Sequence, residues 1–208
     1  MLGLFKSKPK LKALLIVDVQ NDFIPGGTLA VPQGDEVVPV INRLQAEYDI
    51  VLATKDWHPA GHCSFASSHR GYKVGDRADL EIGTQLLWPD HCMQGTPGAA
   101  FAPGLETKKI QKTFEKGSDR NIDSYSGLYD NGNLRETGLR TYLATKLVQE
   151  VHIVGLATDY TVKYTALDCK RAGFEVVVLL AGCRAVNLKP GDDALAIKEM
   201  KAAGVQVK

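Results

Sequence analysis

Nowhere in the 208 residues is there anything near the ~20 consecutive apolar residues needed to cross a bilayer. The longest apolar runs, residues 13–17 and 176–181, are far shorter, so no membrane attachment is expected. Cysteine is scarce: Cys63, Cys92, Cys169 and Cys183 are the four present, with no CxxC pair. That excludes a disulfide-stapled scaffold, and reduced thiols in a cytoplasmic protein are the expectation. Charge of one sign is missing too. Lys and Arg number 25 against 24 Asp and Glu, a net charge of +1, which gives no general electrostatic grip on nucleic acid and no case for wholesale disorder. The opening MLGLFKSKPKLK is basic but lacks the apolar centre and small-residue cleavage site of a secretory signal. Also absent are GxGxxG after the first strand pattern, a Walker loop, a GxSxG elbow and HExxH, which removes the main support for nucleotide-binding and serine-hydrolase chemistry.

What is present is an alternation of two periods. Residues 13–19, 50–54, 151–155 and 176–180 are short, β-branched and apolar, the pattern of strands buried on both faces of a parallel sheet. Between them, residues 37–47, 139–148, 162–172 and 194–203 follow helical patterns. Ala172-Gly173 and Ala203-Gly204 each precede a renewed strand pattern, as left-handed helix caps do. The expectation is an α/β fold, a three-layer α/β/α domain with a mostly parallel sheet over residues 12–208, preceded by a frayed tail at 1–11. In such folds ligands bind outside the carboxyl ends of the strands. Residues 55–108, rich in Gly, Pro, His and Asp, break the rhythm, and a loop that long in one domain is usually functional.

The residues after the strands carry the chemistry. Asp18 ends an apolar strand pattern, where a carboxylate is costly without a partner; it either caps local backbone amides or acts as a general base. In KDWHPAGH, Asp56 and His58 are two residues apart and on one side of an extended chain. His91 in WPDHC can complete an N/N/O set for a divalent metal, Zn foremost, with Fe and Mn also suited. His62 is left as either a further ligand or a neighbour of the ligands. A strand pattern at 109–113 runs into Phe114-Glu115-Lys116; Lys116 is solvated unless its strand end faces Asp18, when it becomes a cationic partner. In GLATDYTVK the chain turns from strand to helix, with Thr158 or Asp159 as the N-cap. Position 161 then falls in the first turn, among free N–H groups able to stabilise an oxyanion.

Taken in order, IVDVQNDF, KDWHPAGH, WPDHCMQGTPG, FEKG and GLATDYTVKYTALD resemble the nicotinamidase branch of the isochorismatase-like cysteine hydrolases, over nearly the whole chain. The resemblance implies metal-dependent deamidation of nicotinamide to nicotinate and ammonia in NAD salvage, with pyrazinamide as a second substrate. It implies Asp18 as general base, Lys116 as the cationic third member and position 161 as the nucleophile. Asp56, His58 and His91 would hold the metal that takes the pyridine nitrogen, and Phe23, Trp88 and Tyr125 would wall the ring. The amides of Ala157 and residue 161 would form the oxyanion hole, next to a cis 156–157 bond. The partner implied is a small molecule, not nucleic acid or a membrane, with a homo-oligomer left open.

The sequence departs from that family where the departure matters most: position 161 is Thr, not Cys. An alkyl hydroxyl, close to water at a pKa of ~15.7, lies about seven units above a thiol, or roughly 10 kcal/mol of extra deprotonation cost. Cys169 is eight residues further along the same helix pattern, about 12 Å at the helical rise, and replaces nothing. The expectation is an inactivated or strongly impaired nicotinamidase. The alternatives are a chain using Thr161 as a slow nucleophile, a silent nicotinamide-binding sensor, or a hydrolase of another amide.

Overall fold

The computed structural model describes residues 10–208. Residues 1–9 of the expected tail lie outside that span. Lys10 and Leu11, expected to fray with them, are tied down: the Lys10 ammonium is 3.0 Å from Glu175, and the Leu11 carbonyl accepts the N–H groups of Gln149 and Glu150. The elements in chain order are β1 (Lys12–Val17), α1 (Val37–Leu44), β2 (Ile50–Asp56), β3 (Arg77–Leu80), β4 (Gly83–Leu86), β5 (Lys112–Lys116), α2 (Leu139–Thr145), β6 (Glu150–Leu156), α3 (Lys163–Arg171), β7 (Glu175–Arg184), α4 (Asp192–Ala202) and β8 (Gln206–Val207). Six strands form one sheet in the order β5-β2-β1-β6-β7-β8, and all its pairings are parallel.

Side-chain alternation along β1 builds the layers. Leu14 and Ile16 pack with Val37 and Ile41 of α1, while Ala13, Leu15 and Val17 pack with Leu139 and Leu143 of α2, Ala166 of α3 and Met200 of α4. The result is the expected α/β/α sandwich. Because β2 lies on one side of β1 and β6 on the other, the strand order reverses at β1, and a crevice opens there at the carboxyl ends. Among the described residues no helix is long and apolar enough to cross a membrane.

Several boundaries differ from the sequence expectation. The strand expected at 109–113 is β5, three residues later, because its register is set by pairing with β2, from Leu52 opposite Lys112 to Asp56 opposite Lys116. The helix expected to end at 148 stops at Thr145, and Leu147 turns left-handed at φ 58°. The strand expected at 176–180 runs on to Arg184 across an irregularity in its pairing with β6. The 55–108 segment contains the antiparallel hairpin β3–β4, whose four-residue strands are too short for their period to stand out in the sequence. Neither Thr158 nor Asp159 is an N-cap: a π-helical turn, Thr158–Val162, follows Ala157 with no side-chain cap. Asp159 instead accepts the N–H groups of Val186 and Asn187 at 2.9 and 2.8 Å. The caps at Gly173 and Gly204 are left-handed as expected, at φ 93° and 83°.

Candidate active site

The carboxyl ends of neighbouring strands deliver the site. β1 stops at Val17, and the next residue, Asp18, is left-handed at φ 49°, which aims its side chain along the strand ends. The Thr54 hydroxyl donates to Asp18 Oδ1 at 2.6 Å. From β5, two strands away, Lys116 Nζ comes to 2.8 Å from Asp18 Oδ2. It also reaches Asp56 Oδ1 at 2.5 Å and the Ser124 carbonyl at 3.0 Å. Asp18 therefore binds side chains rather than capping backbone amides, and Lys116 is buried between two carboxylates, not solvated. Burial pushes the Asp18 carboxyl up to about 6; the Lys116 charge opposes that rise and Asp56 adds to it. Burial by itself would lower the Lys116 ammonium, but Asp18 and Asp56 outweigh it and hold the group above its ordinary value.

Asp56 faces two imidazoles on its other side. His58 Nδ1 is 2.9 Å from the Gly117 carbonyl and His91 Nδ1 is 2.8 Å from the Pro89 carbonyl, contacts that place each ring proton on Nδ1 and leave Nε2 as a lone-pair donor. Those Nε2 atoms lie 3.6 and 3.9 Å from the Asp56 carboxylate oxygens. Such gaps are too wide for hydrogen bonds but are spanned by an ion with bonds of ~2.0–2.2 Å to each atom. Burial pushes His58 down to about 3 and His91 down to about 4, so both are neutral, as ligands must be. The donor set fits a divalent cation.

His62, left open by the sequence, is fully buried and falls in a second group with His58 and Asp123. Its Nδ1 is 2.7 Å from the Ser64 hydroxyl. Although burial works to raise Asp123, its carboxyl is held below the usual range, with the Lys116 ammonium and the Ser124 N–H among the groups that lower it.

Gly117 sets the orientation of His58. Its φ is +62°, and a Cβ there would lie 2.3 Å from His58 Cε1. The Gly117→Ala variant is expected to lose stability and at least about tenfold in zinc affinity, since the ring must turn away from its carbonyl partner. Thermal melting with competitive zinc titration checks this, and an unchanged zinc affinity would refute it.

Over these groups lies a cavity whose lining includes Asp56, His58 and His91, Ala157 and Thr161, and the aromatic rings of Phe23, Trp88 and Tyr125. Asp18 and Lys116 lie beneath it, reaching it through Asp56 and Ser124. The 156–157 bond is cis, as the resemblance implied. Thr161 is on the cavity wall, but its hydroxyl donates to the Leu156 carbonyl, so that proton is not directed at Asp18. None of the four cysteines lines the cavity. Burial pushes the Cys63 and Cys183 thiols up to about 12 and raises Cys92 and Cys169 as well.

Sequence reasoning missed Tyr160, which stands edge-on to Trp88 at 4.9 Å and completes the aromatic wall; its place beside residue 161 was the available signal. It also missed Gln20, whose side-chain amide bonds the backbone of Asp56 in both directions at 2.8 Å and fixes the end of β2.

This arrangement coincides with a match to the Isochorismatase domain model over residues 12–208. The chain belongs to the isochorismatase family. Within that family it is 47% identical to the nicotinamidase of Escherichia coli K12 over 197 residues, 93% of this chain and 92% of the relative. Its fold is similar to that of the Acinetobacter baumanii nicotinamidase pyrazinamidase, with a TM-score of 0.92 and 40% identity over 97% of each chain. The Pyrococcus horikoshii pyrazinamidase, solved in complex with zinc, has a TM-score of 0.77 and 35% identity, over 95% of this chain and 98% of that one.

Proposed function

We propose that this member of the isochorismatase family is a nicotinamidase by construction, binding nicotinamide at a divalent metal, and that Thr161 strongly slows its hydrolysis to nicotinate and ammonia. The observation that carries this reading is one cavity whose lining combines the clustered Asp56, His58 and His91 donors with Phe23, Trp88 and Tyr125 and with Ala157 and Thr161. Nicotinamide has the matching polarity, a ring nitrogen on one side and a carboxamide on the other.

Phe23, Trp88 and Tyr125 sandwich the ring, and the shape of the wall fixes its orientation so that binding energy goes into placement. Zn, held by Asp56, His58 and His91 when bound, supplies a Lewis acid for the pyridine nitrogen, with Fe or Mn suited to the same ligands. The carboxamide carbon then rests against residue 161, its oxygen toward the amides of Ala157 and Thr161. Asp18 takes the proton of the attacking group and passes it to the departing amine as the C–N bond breaks, and water then cleaves the ester left on residue 161 to release nicotinate. Lys116 keeps the Asp18 and Asp56 carboxylates together beneath the ring.

A thiol at position 161 would give up its proton to a carboxylate of this kind. The hydroxyl does not, because it is about seven units less acidic and its proton is already engaged by the Leu156 carbonyl. The same cavity accepts pyrazinamide, a ring of the same shape with a nitrogen at the corresponding position. Calorimetric titration of the zinc-loaded chain with nicotinamide, alongside an ammonia assay, tests the reading. Saturable binding with turnover far below that of a cysteine relative is expected. Failure to bind nicotinamide, or preference for an open-chain amide, would overturn it.

A further inference from the structure

We propose that Gln85 is a positioning residue that locks the β3–β4 hairpin to the nicotinamide cavity, making the hairpin a flap that responds to ligand; this rests on the nicotinamide reading above. The apolar support beneath the hairpin is slight: among the described residues it is a cluster of Ala66, Ala78 and Leu87 with Leu80 partly buried beside them. What fastens it is polar. The Gln85 side chain, buried on β4, places Nε2 3.0 Å from Asp123 Oδ2 and 3.1 Å from the Tyr125 hydroxyl, and 2.8 Å from the Leu86 carbonyl. Two N–H groups thus serve three acceptors, of which Asp123 and Tyr125 both line the cavity.

Tyr125 is held from a second side by Trp88 Nε1 at 3.3 Å, so one amide joins the hairpin to an aromatic wall and to the carboxylate beside His58 and His62. A ligand that packs against Tyr125 and orders that wall strengthens the Gln85 bonds. The hairpin in turn is steadied when the cavity fills.

The Gln85→Met variant keeps the length of the side chain and removes its donors; Gln85→Glu keeps the shape and turns the donor toward Asp123 into a second carboxylate. Both are measured for nicotinamide Kd in the zinc-loaded chain, zinc content, and amide hydrogen exchange across residues 77–86 with and without nicotinamide. Loss of a hydrogen bond to a buried carboxylate is expected to raise Kd about tenfold. Nicotinamide is expected to slow hairpin exchange in the unaltered chain and to have no such effect in either variant. A lower melting temperature with unchanged Kd and unchanged ligand protection would make Gln85 a structural tie only and overturn the proposal. If the unaltered chain binds no nicotinamide, the functional reading falls together with this one, whereas normal binding by chain and variants alike removes only the role of Gln85.

Discussion

Replacing Thr161 by cysteine is expected to raise ammonia release from nicotinamide at least about 10⁴-fold, because the thiol removes most of a deprotonation cost of roughly 10 kcal/mol. Lys116 holds Asp18 at 2.8 Å and Asp56 at 2.5 Å, and Ala157 lines the same cavity as Thr161. The variant also removes a β-branch from the wall and frees the Leu156 carbonyl from the hydroxyl that engages it.

Its pH profile carries a second signature. Asp18 must be ionised to accept the thiol proton, and burial has pushed its carboxyl up to about 6. Thr161→Cys should therefore lose kcat/KM as pH falls through about 6 and keep it above. The limb belongs at that pH rather than at the 3.8 of an ordinary Asp. Steady-state assays over the acid range measure it. An inactive Thr161→Cys protein that still binds nicotinamide would favour the silent-sensor reading over the enzyme.

The second large effect is expected at Asp56, which does two jobs. Its carboxylate faces His58 and His91 across gaps suited to an ion and also neutralises the buried Lys116 ammonium. Asp56→Ala should abolish zinc retention and cost about 1.5–3 kcal/mol of stability, the worth of one charge-assisted hydrogen bond, since Asp18 still pairs with the Lys116 ammonium. His91→Ala separates the two roles, since His91 touches the carboxylate and not the lysine. It should lose zinc with a much smaller fall in the melting temperature of the metal-free protein. Elemental analysis and thermal melts of both variants decide the matter, and full zinc occupancy in either would remove that residue from the ligand set.

The outcome shows which properties travel with the chain. The strand and helix alternation was readable because burial on both faces leaves a continuous apolar run while a helix leaves its own period, and both signals are local. The candidate ligands were readable for a related reason: Asp56 and His58 are two residues apart in an extended segment, so their convergence needs no knowledge of the fold. Asp18 stood out as a charge in an apolar run. The departure at Thr161 is likewise a matter of residue identity.

The tertiary structure decided everything that depends on distant segments meeting. From the residues alone Lys116 read as a solvated side chain until β5 paired with β2 beside β1 and carried its ammonium to Asp18. His62 read equally well as a ligand of the first cation until the loop placed it beside Asp123. Gln85 and Gln20 gave no signal, and Tyr160 only its place beside residue 161, since each acts through partners that are remote in sequence or through a wall built from several loops. Sequence determined the layers and the chemical types available at the strand ends. Only the folded sheet decided which charges meet, because a Coulomb interaction in a buried site depends on distances of a few ångströms between residues that chain order leaves unrelated.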